Sequence, residues 1–175
     1  MKVWAGQFNI YLTLVATLTL LCGCETNKSH GPVSALRVHI EIGPDSVGTS
    51  QSVSIIRADP VLVTIAQQPI LTEANLVAAK VIDAPGGFAI EIRFDETGTW
   101  ILEQYSATNP GRHFVIFGQW GEKLVNGRWL AAPLITHRIA NGVLAFTPDM
   151  SRPEADQLVL GLNNVAAQIH KNQFK

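Results

Sequence analysis

The chain has 175 residues, 47% of them hydrophobic and 15% charged, with a formal net charge of −1. Its 13 basic and 14 acidic side chains are interspersed, and the lack of any basic block excludes the electrostatic footprint of a nucleic-acid-binding protein. The two cysteines, Cys22 and Cys24, are one residue apart, too close to form an unstrained disulfide, so the body of the chain folds without such staples.

After Met1-Lys2 no charge occurs before Glu25, and Ile10 to Leu21 is apolar apart from Thr13, Thr17 and Thr19. That run is shorter than the ~20 residues of a spanning helix, and a basic start, apolar centre and small-residue end describe a secretory signal. A buried core helix is the alternative, but the polar stretch Glu25 to Ser34, with Gly31-Pro32, continues no period. The end of the run, Leu21-Cys22-Gly23-Cys24, resembles the lipobox of bacterial lipoproteins. The resemblance implies removal of residues 1–23 and lipid attachment at Cys24, since small Gly23 suits the cleavage position and bulky Leu21 disfavours Cys22. Each CH₂ of the diacylglycerol and of an N-acyl chain such as palmitate adds ~0.8 kcal/mol of membrane affinity. Glu25 is not the aspartate that retains enteric lipoproteins at the inner membrane, so the expected location is the outer membrane, facing the periplasm, in a two-membrane cell.

Residues 24–35, rich in Thr, Asn, Lys, Ser, Gly and Pro, read as a flexible linker, and 36–170 as one domain. "LRVHIEI" places Leu36, Val38, Ile40 and Ile42 on one face and Arg37, His39 and Glu41 on the other, the pattern of a half-buried strand. A turn-rich loop over 43–52 precedes two further strands, "VSIIRA" and "VLVTIA", separated by Asp59-Pro60. Thr72 caps a short helical piece, "TEANLVAA", that leads into "KVIDA". Pro85-Gly86-Gly87 is a turn rather than a phosphate loop, because the strand "FAIEIRF" follows it and not a helix.

"ETGTWILEQYSAT" has Trp100, Ile101, Leu102 and Tyr105 at helical spacing, with Trp100 expected in the core, and ends at Asn109-Pro110-Gly111. "RHFVIFGQW" is apolar on both faces and reads as a central strand covered twice. Asn126-Gly127 predicts a type I′ hairpin joining "EKLV" to "RWLAA", flanked by a cross-strand pair of Trp120 and Trp129. "PLITHRI" and "VLAF", on either side of Asn141-Gly142, read as strands. The last helix starts with a capping box of Ser151 and Glu154, has Pro153 in its first turn, and buries Ala155, Leu158, Val159, Leu162, Val165, Ala166 and Ile169.

The ordered series from "PVLVTIAQQPILTEANLVAAKV" to "SRPEADQLVLGLNN" resembles the head subdomain of the first periplasmic domain of SecD and SecDF. Leu71-Thr72, Leu76 and Ala79 match its LT-x-x-x-L-x-x-A step, and Thr108 to Gly111 its turn after the helix. Ala131 to Ile135, Ile139 to Gly142 and Glu154-Ala155 follow in order. The likeness covers about residues 58–168, and "GQWGEKLVNGRW" departs from it. It implies an α+β domain, a mainly antiparallel sheet with two main helices near 97–108 and 151–169, serving as a binding part without catalytic residues. The membrane-embedded, proton-coupled part of SecD has no counterpart here, so a proton-driven translocase is not expected of this sequence by itself.

Enzymatic alternatives rest on His113 and His137, with Asp95, Asp149 and Asp156 as carboxylates. Neither histidine has metal-ligand spacing, and Ser106 and Ser151 lie in no nucleophile elbow. No catalytic, metal or cofactor site is therefore expected. The expected function is an anchored envelope lipoprotein binding a protein or peptide partner, in export or envelope assembly. A small-ligand-binding or hydrolytic lipoprotein sharing only the fold is the alternative. The hairpin with Trp120, Glu122 and Trp129 is the candidate partner contact.

Overall fold

The structure, a computed structural model, describes residues 31–43, 50–56 and 58–173. The expected signal segment, Cys24 and the linker up to residue 30 lie outside them. The described residues form nine strands and two α-helices, in order β1 (Ala35–Ile40), β2 (Ser50–Ile55), β3 (Val61–Ala66), β4 (Leu71–Thr72), β5 (Leu76–Ala84), β6 (Gly87–Phe94), α1 (Glu96–Thr108), β7 (Phe114–Trp120), β8 (Asn126–Ala131), β9 (Val143–Phe146) and α2 (Arg152–Gln173). They form three antiparallel sheets, in the orders β4-β1-β7-β8, β2-β3 and β5-β6-β9. The fold class is α+β, as expected.

β7 is the doubly covered strand. Phe114, Ile116 and Trp120 lie in the main core with Leu36, Val38 and Ile40 of β1, Ile90, Ile92 and Phe94 of β6, and Ala155, Leu158, Leu162 and Ala166 of α2. Val115, on its other face, joins Val53, Ile55, Val63 and Ile65 of the β2–β3 hairpin. Gly118 makes room for a side chain of the neighbouring strand: a Cβ there would meet Leu130 Cδ1 of β8 at 2.7 Å, while Leu158 Cδ2 of α2 would lie at an ordinary contact distance of 3.4 Å.

Several expectations change for physical reasons. Residues 31–35, assigned above to the linker, pack on the body: Ser34 is buried, Asn164 donates to the Pro32 carbonyl (2.9 Å), and Ala35 begins β1. The polar face of β1 is covered in part: His39 is buried beside Ala66 of β3 and Trp129, while Arg37 stays exposed. Thr72 does cap a helical turn, but only a 3-10 turn over Glu73–Asn75, and strand β5 starts at Leu76. Asn163 of α2 holds that strand: its side chain donates to the Ala79 carbonyl (2.9 Å) and accepts from the Ala79 N–H (2.8 Å).

Asp95 caps α1, accepting from the Gly98 N–H at 2.6 Å. The inward stripe of that helix is Gly98, Leu102 and Ser106, with Ile101 and Tyr105 partly buried. Trp100 faces the opposite side and is 62% exposed, so the expectation that it lies in the core fails. "PLITHRI" forms no regular strand. Its first residues continue along β7, with bonds between Ile135 and Gly111 and Arg112, and a single bridge pairs Leu134 with His113. The segment then crosses to the other sheet, held where the buried Ser106 hydroxyl accepts the Ile139 N–H (2.8 Å). Half of the expected capping box of α2 is present. Glu154 accepts from the Ser151 N–H (2.8 Å), while the Ser151 hydroxyl donates to that same carboxylate (2.9 Å).

Leu162→Ala should lower stability by about 2–5 kcal/mol, since the side chain is fully buried. Trp100→Ala should stay within about 0.5 kcal/mol of the parent. Urea denaturation monitored by circular dichroism separates the two, and the reverse order would contradict the packing of both helices.

Candidate functional site

The hairpin of β7 and β8 differs from its sequence reading in its turn. β7 runs on to Trp120, which pairs with Asn126, so Asn126-Gly127 opens strand β8 instead of making the turn. The reversal falls on residues 121–125, where Gly121 (φ 87°) supplies the left-handed conformation and Lys123 and Leu124 share it (φ 57° and 56°). "EKLV" is accordingly a 3-10 turn over Glu122–Leu124 and not a strand.

This register separates the two tryptophans. Trp129 lies opposite Phe117, with ring centroids 5.1 Å apart, and edge-on to His39 at 5.3 Å. Trp120 points to the other face, is 1% exposed, and has the Arg128 guanidinium 4.8 Å above its ring. No cross-strand Trp120–Trp129 pair exists, and Trp120 is a core residue with no surface to offer a partner. Glu122 is exposed in the turn, and Trp129 is half-buried.

Two cavities flank the start of β8. On the Trp129 face, about 360 Å³ is lined by Ser54, Ile56, Pro60, Phe117, Gly127, Arg128 and Trp129. Ile56 holds φ 67° there, a strained conformation for a β-branched residue. On the Trp120 face, about 240 Å³ is bounded by Trp120, Val125, Asn126, Arg128 and Glu154. Arg128 and Glu154 form an ion pair across it. Leu62 and Val125, the two most exposed large hydrophobic side chains of the described residues, belong to the same region, on the β2–β3 hairpin and the 121–125 turn. A larger cavity of about 550 Å³ lies elsewhere, along the crossing segment from Pro133 to Asn141.

The titratable candidates take structural positions. Glu41 accepts both from the His113 N–H (2.9 Å) and from its ring Nδ1 (2.6 Å), tying the end of β1 to the start of β7. His137 is exposed, with Nδ1 2.9 Å from Thr136 Oγ1. Ser106 donates to the Glu103 carbonyl, the Asp149 N–H donates to the Leu130 carbonyl, and exposed Asp156 lies near Arg152. Among the described residues no group of three or more His, Cys, Asp or Glu is placed to hold a metal. Sequence reading missed His39, whose Nδ1 lies 2.8 Å from the Ala66 carbonyl. The only signal for it was a histidine in an apolar alternation.

Burial lowers the His39 pKa below 6.5, assisted by Arg37 and opposed by the bond to Ala66. For Glu154 burial pushes upward, but the bonds from Ser151 and Arg128 outweigh it and leave the carboxyl below 4.5. An unfolded chain binds the His39 proton first, so that contribution to stability is present above pH 6.5 and is lost as pH falls toward the depressed folded value. The Glu154 contribution is present above pH 4.5 and is lost below it. Urea midpoints should therefore decline in two steps on acidification. His39→Gln should remove the step near neutrality and keep the lower one, and Glu154→Gln should do the opposite.

A model of the SecDF P1 head subdomain matches residues 50–167. A search of curated proteins returned no match. Among solved structures, one of SecDF, a membrane component that enhances protein export, is 20% identical with a TM-score of 0.52. It aligns with 77% of this chain and 64% of its own. A crystal structure of SecDF in a super-membrane-facing form gives 20% identity, a TM-score of 0.53, and coverage of 77% of this chain and 19% of that one. The chain thus spans less than two thirds of the length of either protein, and at this identity the likeness is one of fold. With the family match extending from β2 into α2, the chain belongs to the SecDF P1 head subdomain family.

Proposed function

We propose that this chain is an envelope lipoprotein, acylated at Cys24 after removal of residues 1–23, whose domain holds a protein or peptide partner during export or envelope assembly. The observation that carries this reading is the family match over residues 50–167, downstream of the lipobox-like Leu21-Cys22-Gly23-Cys24. Its fold is shared with SecDF, which enhances protein export. The chemistry is binding: the histidines weighed as an enzymatic alternative make local hydrogen bonds, and the start of β8 is flanked by one apolar and one polar cavity. Six residues lie between Cys24 and Gly31, a span of at most about 25 Å, so the anchor keeps the domain close to its membrane and raises the effective concentration of a membrane-bound partner. The outer membrane, facing the periplasm, is the proposed location.

Labelling with a fatty-acid analogue should mark the parent and a Cys22→Ser variant, and should fail to mark Cys24→Ser. Label retained on Cys24→Ser would refute acylation at that residue. In cells, His113→Ala and His137→Ala should preserve the role, whereas a soluble form without Cys24 should lose most of it. Loss of the role in either histidine variant, with fold and anchor intact, would replace binding by a catalytic or metal site.

A further inference from the structure

β8 is the last strand of the four-stranded sheet. Beyond Trp129 its outer side is closed by the Asp149 N–H, which donates to the Leu130 carbonyl at 2.7 Å. Over Asn126–Trp129 no described strand pairs with that side. The β5 edge is treated differently, since the Asn163 side chain satisfies both backbone groups of Ala79. Edge strands are normally blunted by proline, by outward charge or by a covering element. Residues 126–129 contain no proline, and their single charge, Arg128, is turned back onto Trp120 and Glu154.

The open edge has a cavity on each face, apolar beside Ile56, Pro60, Phe117 and Trp129, and polar beside Asn126, Arg128 and Glu154. Successive side chains of a strand point to opposite faces. Open backbone groups between two cavities of opposite character therefore match one kind of ligand, an extended polypeptide. We propose that the Asn126–Trp129 edge takes an extended segment of a partner protein as an added strand, with an aliphatic side chain in the Trp129 cavity and the adjacent polar one against Arg128 and Glu154. Main-chain hydrogen bonds supply the attraction, and the two cavities supply the selection. The site lies in the stretch that departs from the family pattern, and the inference rests on the reading that the domain holds a protein partner.

The test uses the full chain in its own cells, with photoreactive p-benzoylphenylalanine in place of Val125 or Asn126, and in place of Trp100 or Leu160 as exposed sites on the two helices. The expected result is adducts at 125 and 126, in which mass spectrometry finds a segment with an aliphatic and a polar residue in succession. A synthetic copy of that segment should shift the amide resonances of residues 126–129. N-methylation of one alternate set of its residues should weaken binding at least tenfold, while the other set should have little effect. Adducts at position 100 or 160 alone would overturn the edge site and leave partner binding standing. Adducts to a second copy of this chain, or equal tolerance of both N-methylated sets, would overturn strand addition to a partner. Silence at all four positions would overturn partner binding itself.

Discussion

The double cover of β7 is the constraint on which the remaining structure depends. A strand with apolar residues on both faces must find two layers, and here α2 and the β5-β6-β9 sheet supply one while the β2–β3 hairpin supplies the other. From this follows the glycine at position 118, where a Cβ would collide with the Leu130 side chain that β8 sends into the same layer. The lowered pKa of His39 follows as well, since the hairpin that completes the second layer also helps to remove its imidazole from water. So does the opposite placement of Trp120 and Trp129, each filling a different layer from neighbouring strands.

Polar side chains work mainly as clasps between these layers. Glu41 holds both the backbone and the ring of His113, Ser106 receives the chain crossing from one sheet to the other, and Asn163 completes β5. Each satisfies backbone or side-chain groups that would otherwise be left unpaired by burial. Residues that look chemically suggestive in one dimension are consumed by architecture.

Much of the architecture was legible in the sequence. Strict alternation marked β1 and β6, apolar residues on both faces marked β7, and the periodic stripe of Ala155, Leu158, Leu162 and Ala166 marked α2. Failures came where a tertiary partner overrode a local signal. Leu76 and Ala79 fit a helix as readily as a strand until Asn163 and β6 claim them. Asn126-Gly127 is a strong turn signal, but Gly121 already reverses the chain and Trp120 is needed in the core, so the pair becomes strand. Trp100 sat at a plausible spacing, yet the inward stripe runs through Gly98, Leu102 and Ser106 on the other side. The hairpin itself has other strands and another turn than its sequence suggests, and the strand edge and the two cavities were not foreseeable. The Trp129 cavity depends on β2–β3 folding across β8 and the polar one on α2 meeting it, contacts between residues far apart in sequence.

The hydrogen bonds between Asn163 and Ala79 join positions 84 residues apart. Their consequence is temporal. A chain that emerges from a ribosome or a translocation channel N-terminus first presents β5 long before α2 exists, and during that interval the strand has no Asn163 to complete it. Contacts of such separation form late and slow the search for the native topology, and unpaired strand edges exposed meanwhile invite pairing with other chains. The domain therefore closes from its tail. Truncation within the last helix would leave a sheet permanently in the condition of its nascent form.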